Sequence, residues 1–230
     1  MTSSPTAIAR IAGFFYLLTF LAGIPLFFVR KLIVSGDAAA TAANVLSHQA
    51  VFWWGFGSQL VVVASYVVVT ALLYEVFKPA GRALSLVAAF FSLMGCATQI
   101  AATFFYLAVF TVLQASNSAN PVYATASQAV AGLFLKLYTQ SYDVGLVFFG
   151  FYCLLIGCLI FRGTFVPKIF GLLMAIAGIG WLTFLVPPFA TTLYPAILLP
   201  GLVGEGALTI WLLAAGVNAE RWAEQALTRT

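Results

Sequence analysis

Charged residues are scarce in this chain, and their scarcity excludes a soluble globular protein. Asp, Glu, Lys and Arg make up 7% of the 230 residues, whereas they form roughly a quarter of an average soluble domain. Hydrophobic residues make up 63%, so most side chains must face lipid or other apolar helices. The net charge is +4, and the basic residues are scattered along the chain without forming a basic run. We therefore predict no nucleic-acid partner.

Histidine and cysteine are also rare. His48 is the single histidine, and the cysteines Cys96, Cys153 and Cys158 lie in apolar segments without a CxxC pair. One histidine cannot build a His-rich zinc site or a bis-His haem site within one chain. The chain also has no HExxH and no phosphate-binding GxxxxGK motif. We predict no metal and no cofactor.

Long hydrophobic runs, in contrast, are abundant. A helix of about 20 apolar residues crosses the hydrocarbon core of a bilayer, and the sequence contains six such runs. We predict an all-α polytopic transmembrane bundle that forms a single domain over residues 1–230. Two further helices are expected outside the membrane, before spans 2 and 4; Asp37 is a typical capping residue for the first of them. The predicted spans cover residues 8–29, 52–77, 84–113, 143–161, 167–186 and 196–217.

The distribution of basic residues predicts the orientation of the spans. Cytoplasmic loops of membrane proteins carry an excess of Lys and Arg. If both termini are cytoplasmic, seven basic residues lie inside and three outside, so this orientation is favoured. The inside set is Arg10, Lys78, Arg82, Arg162, Lys168, Arg221 and Arg229, and the outside set is Arg30, Lys31 and Lys136.

Several strings resemble a known family. They are "ARIAGFFYLLTFLAG", "GDAAATAANVLSH", "YDVGLVFFGFYCLLIGCLIFRGTFVPKIFGLLMAIAGIGWL" and "LLPGLVGEGALTIWLLAAG". Together they are similar to bacterial membrane proteins grouped as domain of unknown function 4386, and the likeness extends from about residue 9 to residue 217. The resemblance implies a multi-pass protein of the bacterial cytoplasmic membrane. It implies no reaction and no ligand.

Glu205 is the polar residue that most needs an explanation. It lies near the middle of the sixth predicted span, where a charged side chain costs roughly 2.5–3.5 kcal/mol on insertion scales. Glycines surround it in "GLVGEG", and glycines allow a second helix to approach closely. Pro200 is expected to kink the helix and to free a backbone carbonyl. These features predict a polar cavity with Glu205 near its floor.

Other polar residues are candidates for the same cavity. They follow one face of a predicted span or begin a span, and with Glu205 they form our set of candidate ligand-binding residues. We expect them to line an outward-facing cavity that admits a small apolar or amphipathic molecule, in addition to the lipids around the protein. These candidates are His48, Gln59, Gln99, Tyr142 and Asp143.

Each candidate also has a structural explanation. Gln59 and Gln99 could simply join helices through hydrogen bonds. His48 could cap a helix or lie at the interface, and Asp143 could cap the start of the fourth span. Glu205 could bond a backbone carbonyl in its protonated form. The tryptophans are attributed to interface anchoring and core filling; they include Trp53, Trp54, Trp181 and Trp211.

Three functional hypotheses follow from these residues. The first is a protein that binds or moves a small apolar or amphipathic molecule. The second is an intramembrane enzyme that acts on a lipid or quinone-like substrate, with Glu205 or Asp143 as acid or base. The third is a structural membrane subunit whose polar residues only join helices.

Overall fold

The described part of the chain consists of helices and loops, without a β-strand. A computed structural model describes residues 4–34, 36–115 and 121–228. Short 3-10 helices cover Lys78–Ala80, Thr183–Leu185 and Ala196–Leu198. The α-helices are α1 (Pro5–Arg30), α2 (Ala38–Ser47), α3 (Gln49–Phe77), α4 (Arg82–Ala115), α5 (Pro121–Arg162), α6 (Lys168–Leu182), α7 (Pro187–Leu193), α8 (Leu199–Ala214) and α9 (Ala219–Leu227).

Six of the described helical segments are long and apolar enough to cross a membrane. Each corresponds to one predicted span, so the prediction of an all-α polytopic bundle is confirmed. The cytoplasmic placement of both termini stays a prediction. The six segments are Pro5–Arg30, Gln49–Ala80, Arg82–Gln114, Val122–Arg162, Lys168–Leu185 and Ala196–Ala214.

The fourth span begins much earlier than residue 143. Helix α5 is continuous from Pro121 to Arg162 over 42 residues, and its only proline stands at the first position, where the missing N–H breaks no bond. The helical segment expected before span 4 is therefore the first half of α5. Asp143 lies inside this helix, so the interpretation of Asp143 as a helix cap was wrong.

The helix expected before span 2 is α2. The side chain of Asp37 accepts a hydrogen bond from the Ala40 backbone N–H at 2.8 Å, which confirms Asp37 as the capping residue. The location of α2 at the outer membrane surface stays a prediction.

Pro200 does not kink the sixth span. Helix α8 begins at Leu199, after a short 3-10 helix, and Pro200 occupies its first turn. At this position the proline nitrogen has no intrahelical bond to lose. The predictions of a kink at Pro200 and of a freed backbone carbonyl were therefore wrong.

The chain divides into two compact units. Unit 1 contains Met1–Leu18, Ser65–Ala97 and Val144–Thr230, and unit 2 contains Thr19–Ala64 and Thr98–Asp143. Residues of α1, α3, α4 and α5 are thus divided between the units, whereas α6, α7, α8 and α9 belong to unit 1 and α2 to unit 2. The description of the whole chain as a single domain stays a prediction.

Unit 1 depends on close backbone contact at glycines. A Cβ atom at Gly157 of α5 would lie 2.8 Å from the Gly171 carbonyl oxygen of α6. A Cβ atom at Gly204 of α8 would meet the Leu173 carbonyl oxygen and the Ala177 side chain of α6. Small residues at helix interfaces permit this approach, so α6 packs against both α5 and α8.

Unit 2 has an aromatic core. Phe52 stacks on Tyr106 with ring centroids 4.1 Å apart, and the Tyr106 hydroxyl donates to the Phe52 carbonyl oxygen at 2.8 Å. Phe110 also packs against Phe52, with ring centroids 5.3 Å apart. The stack joins α3 to α4 within this unit.

The glycine contacts of α8 lead to a test with a matched control. Gly204→Ala is expected to lower the free energy of unfolding by about 1–3 kcal/mol, because the added methyl group overpacks the contact with α6. Gly206→Ala, two residues away, is the control because a Cβ atom there meets nothing within 4 Å. The control should raise stability by up to about 1 kcal/mol through higher helix propensity. Reversible unfolding in detergent, followed by circular dichroism, measures both; equal effects would contradict the assigned packing.

Candidate functional site

The carboxyl group of Glu205 is the centre of a buried hydrogen-bond cluster in unit 1. Tyr16 of α1 and Tyr66 of α3 donate to Oε2 at 2.6 and 2.8 Å. The indole N–H of Trp181 in α6 donates to Oε1 at 2.6 Å. Glu205 itself is only 6% exposed. We call Glu205, Tyr16, Tyr66 and Trp181 the Glu205 cluster.

The donors of the Glu205 cluster explain how an acidic residue is accommodated in an apolar span. All three contacts place a donor against a carboxyl oxygen. Hydrocarbon offers no such donors, so a buried polar group in an apolar span needs its partners within the protein. The cluster also connects four helices.

The sequence around Glu205 brings its donors within reach. Gly201 lies directly against the Trp181 ring, and Gly204 lies against the backbone of α6. Larger side chains at these two positions would separate α8 from α6 and remove Trp181 from the carboxyl group. The predicted role of the glycines in close packing thus holds for Gly201 and Gly204, whereas Gly206 faces open space.

Two residues of α5 border the Glu205 cluster. Cys153 is fully buried, and its thiol lies near the Glu205 side chain. Tyr152 interacts electrostatically with Glu205, and its ring packs edge-on against Tyr66 at 6.1 Å. Tyr152 is 1% exposed, and its hydroxyl has no hydrogen-bond partner within the described residues. A buried hydroxyl without a partner usually marks a water or a bound group.

The two glutamines that were predicted to be ligand-binding candidates lie together in unit 2. Gln59 donates from Nε2 to Oε1 of Gln99 at 3.3 Å, and the two residues are 2% and 4% exposed. This contact joins α3 to α4 and supports their role in joining helices. Oε1 of Gln59 has no partner in the part of the chain that the structure describes.

Asp143 and Tyr142 are half-buried neighbours in α5 of unit 2. The Arg30 guanidinium, at the end of α1, attracts the Asp143 carboxylate. The Tyr142 ring packs against Tyr138 at 6.2 Å. Asp143 therefore has a cationic neighbour from another helix of its unit.

His48 lies between two helices. It is the C-cap residue of α2 and precedes α3, and it is exposed. Its Nδ1 atom lies 3.1 Å from the Asn44 carbonyl oxygen and 3.0 Å from the Ser47 hydroxyl. The capping interpretation of His48 is supported by these contacts.

Of the six candidate residues, Glu205 belongs to unit 1 and the other five belong to unit 2. Their common cavity stays a prediction. Sequence reasoning missed two hydrogen-bond donors to Glu205, namely Tyr16 and Trp181. The available signal was a lone tyrosine within the apolar first span. Trp181 had been assigned to interface anchoring or core filling, and its bond to Glu205 gives it a more specific role.

The fold and its polar clusters define a class of protein. The described residues contain six long apolar helices, and the chain has few charges; these are the features of a multi-pass integral membrane protein. Within the described residues, no three or more His, Cys, Asp or Glu side chains are grouped so as to hold a metal ion.

The family follows from the sequence. A family model described as "Domain of unknown function (DUF4386)" matches residues 11–216, and the chain belongs to this family. Comparisons with curated proteins and with solved structures gave no match.

The Glu205 cluster leads to a second test. Tyr16→Phe and Tyr66→Phe each remove one donor to Oε2, so each is expected to lower the free energy of unfolding by about 1–2 kcal/mol. Because the two hydroxyls share one oxygen, the double variant should differ from the sum of the single variants. Tyr74→Phe, on the same helix as Tyr66 but outside the cluster, is the control and should have little effect. Single variants that match the control in detergent unfolding would contradict the cluster.

Proposed function

We propose that this protein, in the bacterial cytoplasmic membrane, binds a small amphipathic molecule within unit 1. The polar end of the molecule lies beside Tyr152 and the Glu205 cluster, and its apolar part packs among the apolar helices. The observation that carries this proposal is the buried Tyr152 hydroxyl, which has no hydrogen-bond partner within the described residues.

The chemistry of this position favours a neutral polar group on the ligand. The Glu205 carboxyl oxygens already accept bonds from Tyr16, Tyr66 and Trp181, so no cation is needed to satisfy them. The Tyr152 hydroxyl can both donate and accept. A hydroxyl or carbonyl group on an otherwise apolar molecule satisfies it, and a charged group would require further desolvation.

A structural role for the Glu205 cluster is the second candidate function, and a specific observation favours it. The carboxyl oxygens of Glu205 have donors on three other helices of unit 1, which is the arrangement expected of a group that holds helices together. In this case Tyr152 is satisfied by a water molecule, and the protein is a structural membrane subunit.

Three earlier predictions have no further support from these contacts. The outward opening of the site and the movement of a ligand across the membrane stay predictions. The same is true of the intramembrane enzyme with Glu205 or Asp143 as acid or base.

The conservative change Tyr152→Phe separates the two candidate functions. It removes a hydroxyl that has no protein partner, so stability should be unchanged or slightly higher. Affinity for a ligand that bonds this hydroxyl should fall about tenfold, as expected for the loss of about 1.4 kcal/mol. The measurement is native mass spectrometry of protein purified in mild detergent, which detects a small molecule retained by the wild type and reduced in Tyr152→Phe.

Glu205→Gln and Tyr74→Phe complete the experiment. Tyr74→Phe is the control and should retain the molecule. If Tyr152→Phe and Glu205→Gln both lose the molecule and Tyr74→Phe retains it, the binding proposal is supported. If no molecule distinguishes wild type from Tyr152→Phe, and Glu205→Gln only lowers the melting temperature, the cluster is structural and the binding proposal is wrong.

A further inference from the structure

A cavity lies at one end of unit 1, apart from the Glu205 cluster. Its volume is about 620 Å³, and it is lined by the loops before α6 and after α8 and by the adjoining ends of α6, α8 and α9. The described lining includes the basic residues Lys168 and Arg221 and the polar residue Asn218, and it includes no acidic side chain. The cavity therefore has a positive character.

Lys168 contributes charge and marks the start of a helix. It is the first residue of α6, and Pro167, the capping position, offers no side-chain acceptor to the first turn. The first backbone N–H groups of a helix lack intrahelical partners and attract anions. The Lys168 ammonium group donates to the carbonyl oxygens of Ile160 and Gly163, so it is held in place at the end of α5.

Arg221 contributes guanidinium N–H donors, few of which bond to other residues of the protein. Its guanidinium group makes a long contact of 3.4 Å from one nitrogen to the Thr164 carbonyl oxygen, and the side chain is exposed. A guanidinium group has five N–H donors in a planar fork that fits phosphate oxygens. Glu220 and Glu224 are on the same short helix but outside the described lining of the cavity.

Trp211 supplies a further donor at this cavity. It lines the wall and packs against Phe170 at 5.1 Å. Its indole N–H is buried and has no hydrogen-bond partner among the described residues. A ligand oxygen or a water molecule that reaches this N–H would satisfy it.

The same end of unit 1 carries most of the predicted cytoplasmic charge. Thr6 at the start of α1 bonds the Val217 carbonyl oxygen, and Trp222 of α9 bonds the Val76 carbonyl oxygen at the end of α3. Arg10 bonds the Ala214 carbonyl oxygen at the end of α8. Basic residues at a cytoplasmic surface attract the anionic lipids of that leaflet.

We propose that this cavity binds a phosphate group, with Arg221, the first turn of α6 and the Trp211 N–H as donors. Lys168 adds positive charge next to the phosphate. The phosphate belongs to the headgroup of an anionic phospholipid or to a soluble phosphate compound, since both present the same oxygens. This site is separate from the proposed ligand position at Tyr152.

The test uses the whole protein and two probes. In the first arm, delipidated protein in detergent is titrated with inorganic phosphate at constant ionic strength, with chloride as the balancing salt. In the second arm, the protein is placed in nanodiscs of phosphatidylcholine alone or with phosphatidylglycerol, and retained lipid is counted by native mass spectrometry. Binding of the anion in either arm supports the site, and the arm that responds identifies the source of the phosphate.

Variants connect the binding to this cavity. Arg221→Gln is expected to weaken binding about tenfold and leave folding intact, because the backbone N–H of Arg221, not its side chain, contacts the helix cap. Trp211→Phe keeps the ring contact with Phe170 and should weaken binding about threefold. Arg82→Gln is the matched control, since it removes an equal charge from the first residue of α4, outside the cavity lining. Absence of binding in both arms, or equal weakening in Arg221→Gln and Arg82→Gln, would overturn the proposal.

Discussion

The carboxyl group of Glu205 imposes the strongest constraint on unit 1. In an apolar span, its oxygens need donors from within the protein, because hydrocarbon offers none. Tyr16, Tyr66 and Trp181 meet this need from three other helices. Those helices must therefore approach α8 closely; Gly13 of α1 permits this for α1, and Gly201 and Gly204 of α8 permit it for α6. A single polar side chain thus accounts for much of how this unit is packed.

The three hydrogen bonds to the Glu205 carboxyl group change what this residue can do, because they hold the group in one position. The nearby Tyr152 hydroxyl, in contrast, has no hydrogen-bond partner within the described residues. If unit 1 binds a small molecule, the Tyr152 hydroxyl gains a hydrogen-bond partner. The Glu205 cluster then forms a rigid surface beside the bound molecule.

The buried polar side chains of unit 2 make different interactions. Its buried amides, Gln59 and Gln99, pair with each other, and Asp143 has the Arg30 cation nearby. The aromatic stack of Phe52 and Tyr106 fills its core. Unit 1 thus gathers its donors around one carboxyl group, whereas unit 2 pairs polar side chains with each other. At the basic end of unit 1, Arg221 and the Trp211 N–H have few partners, and this is where an anion can bind.

The sequence by itself determined the class of protein, the six spans and Glu205 as the residue of interest, because hydrophobicity and charge act locally and are read directly from composition. It also identified Asp37 as a cap. It did not determine that α5 is one continuous helix or that Pro200 falls in a first turn, since helix ends depend on packing with neighbours. The partners of Glu205 are separated from it by 24 to 189 residues. Only the tertiary structure decided which side chains meet, because helix packing brings distant donors to one acceptor.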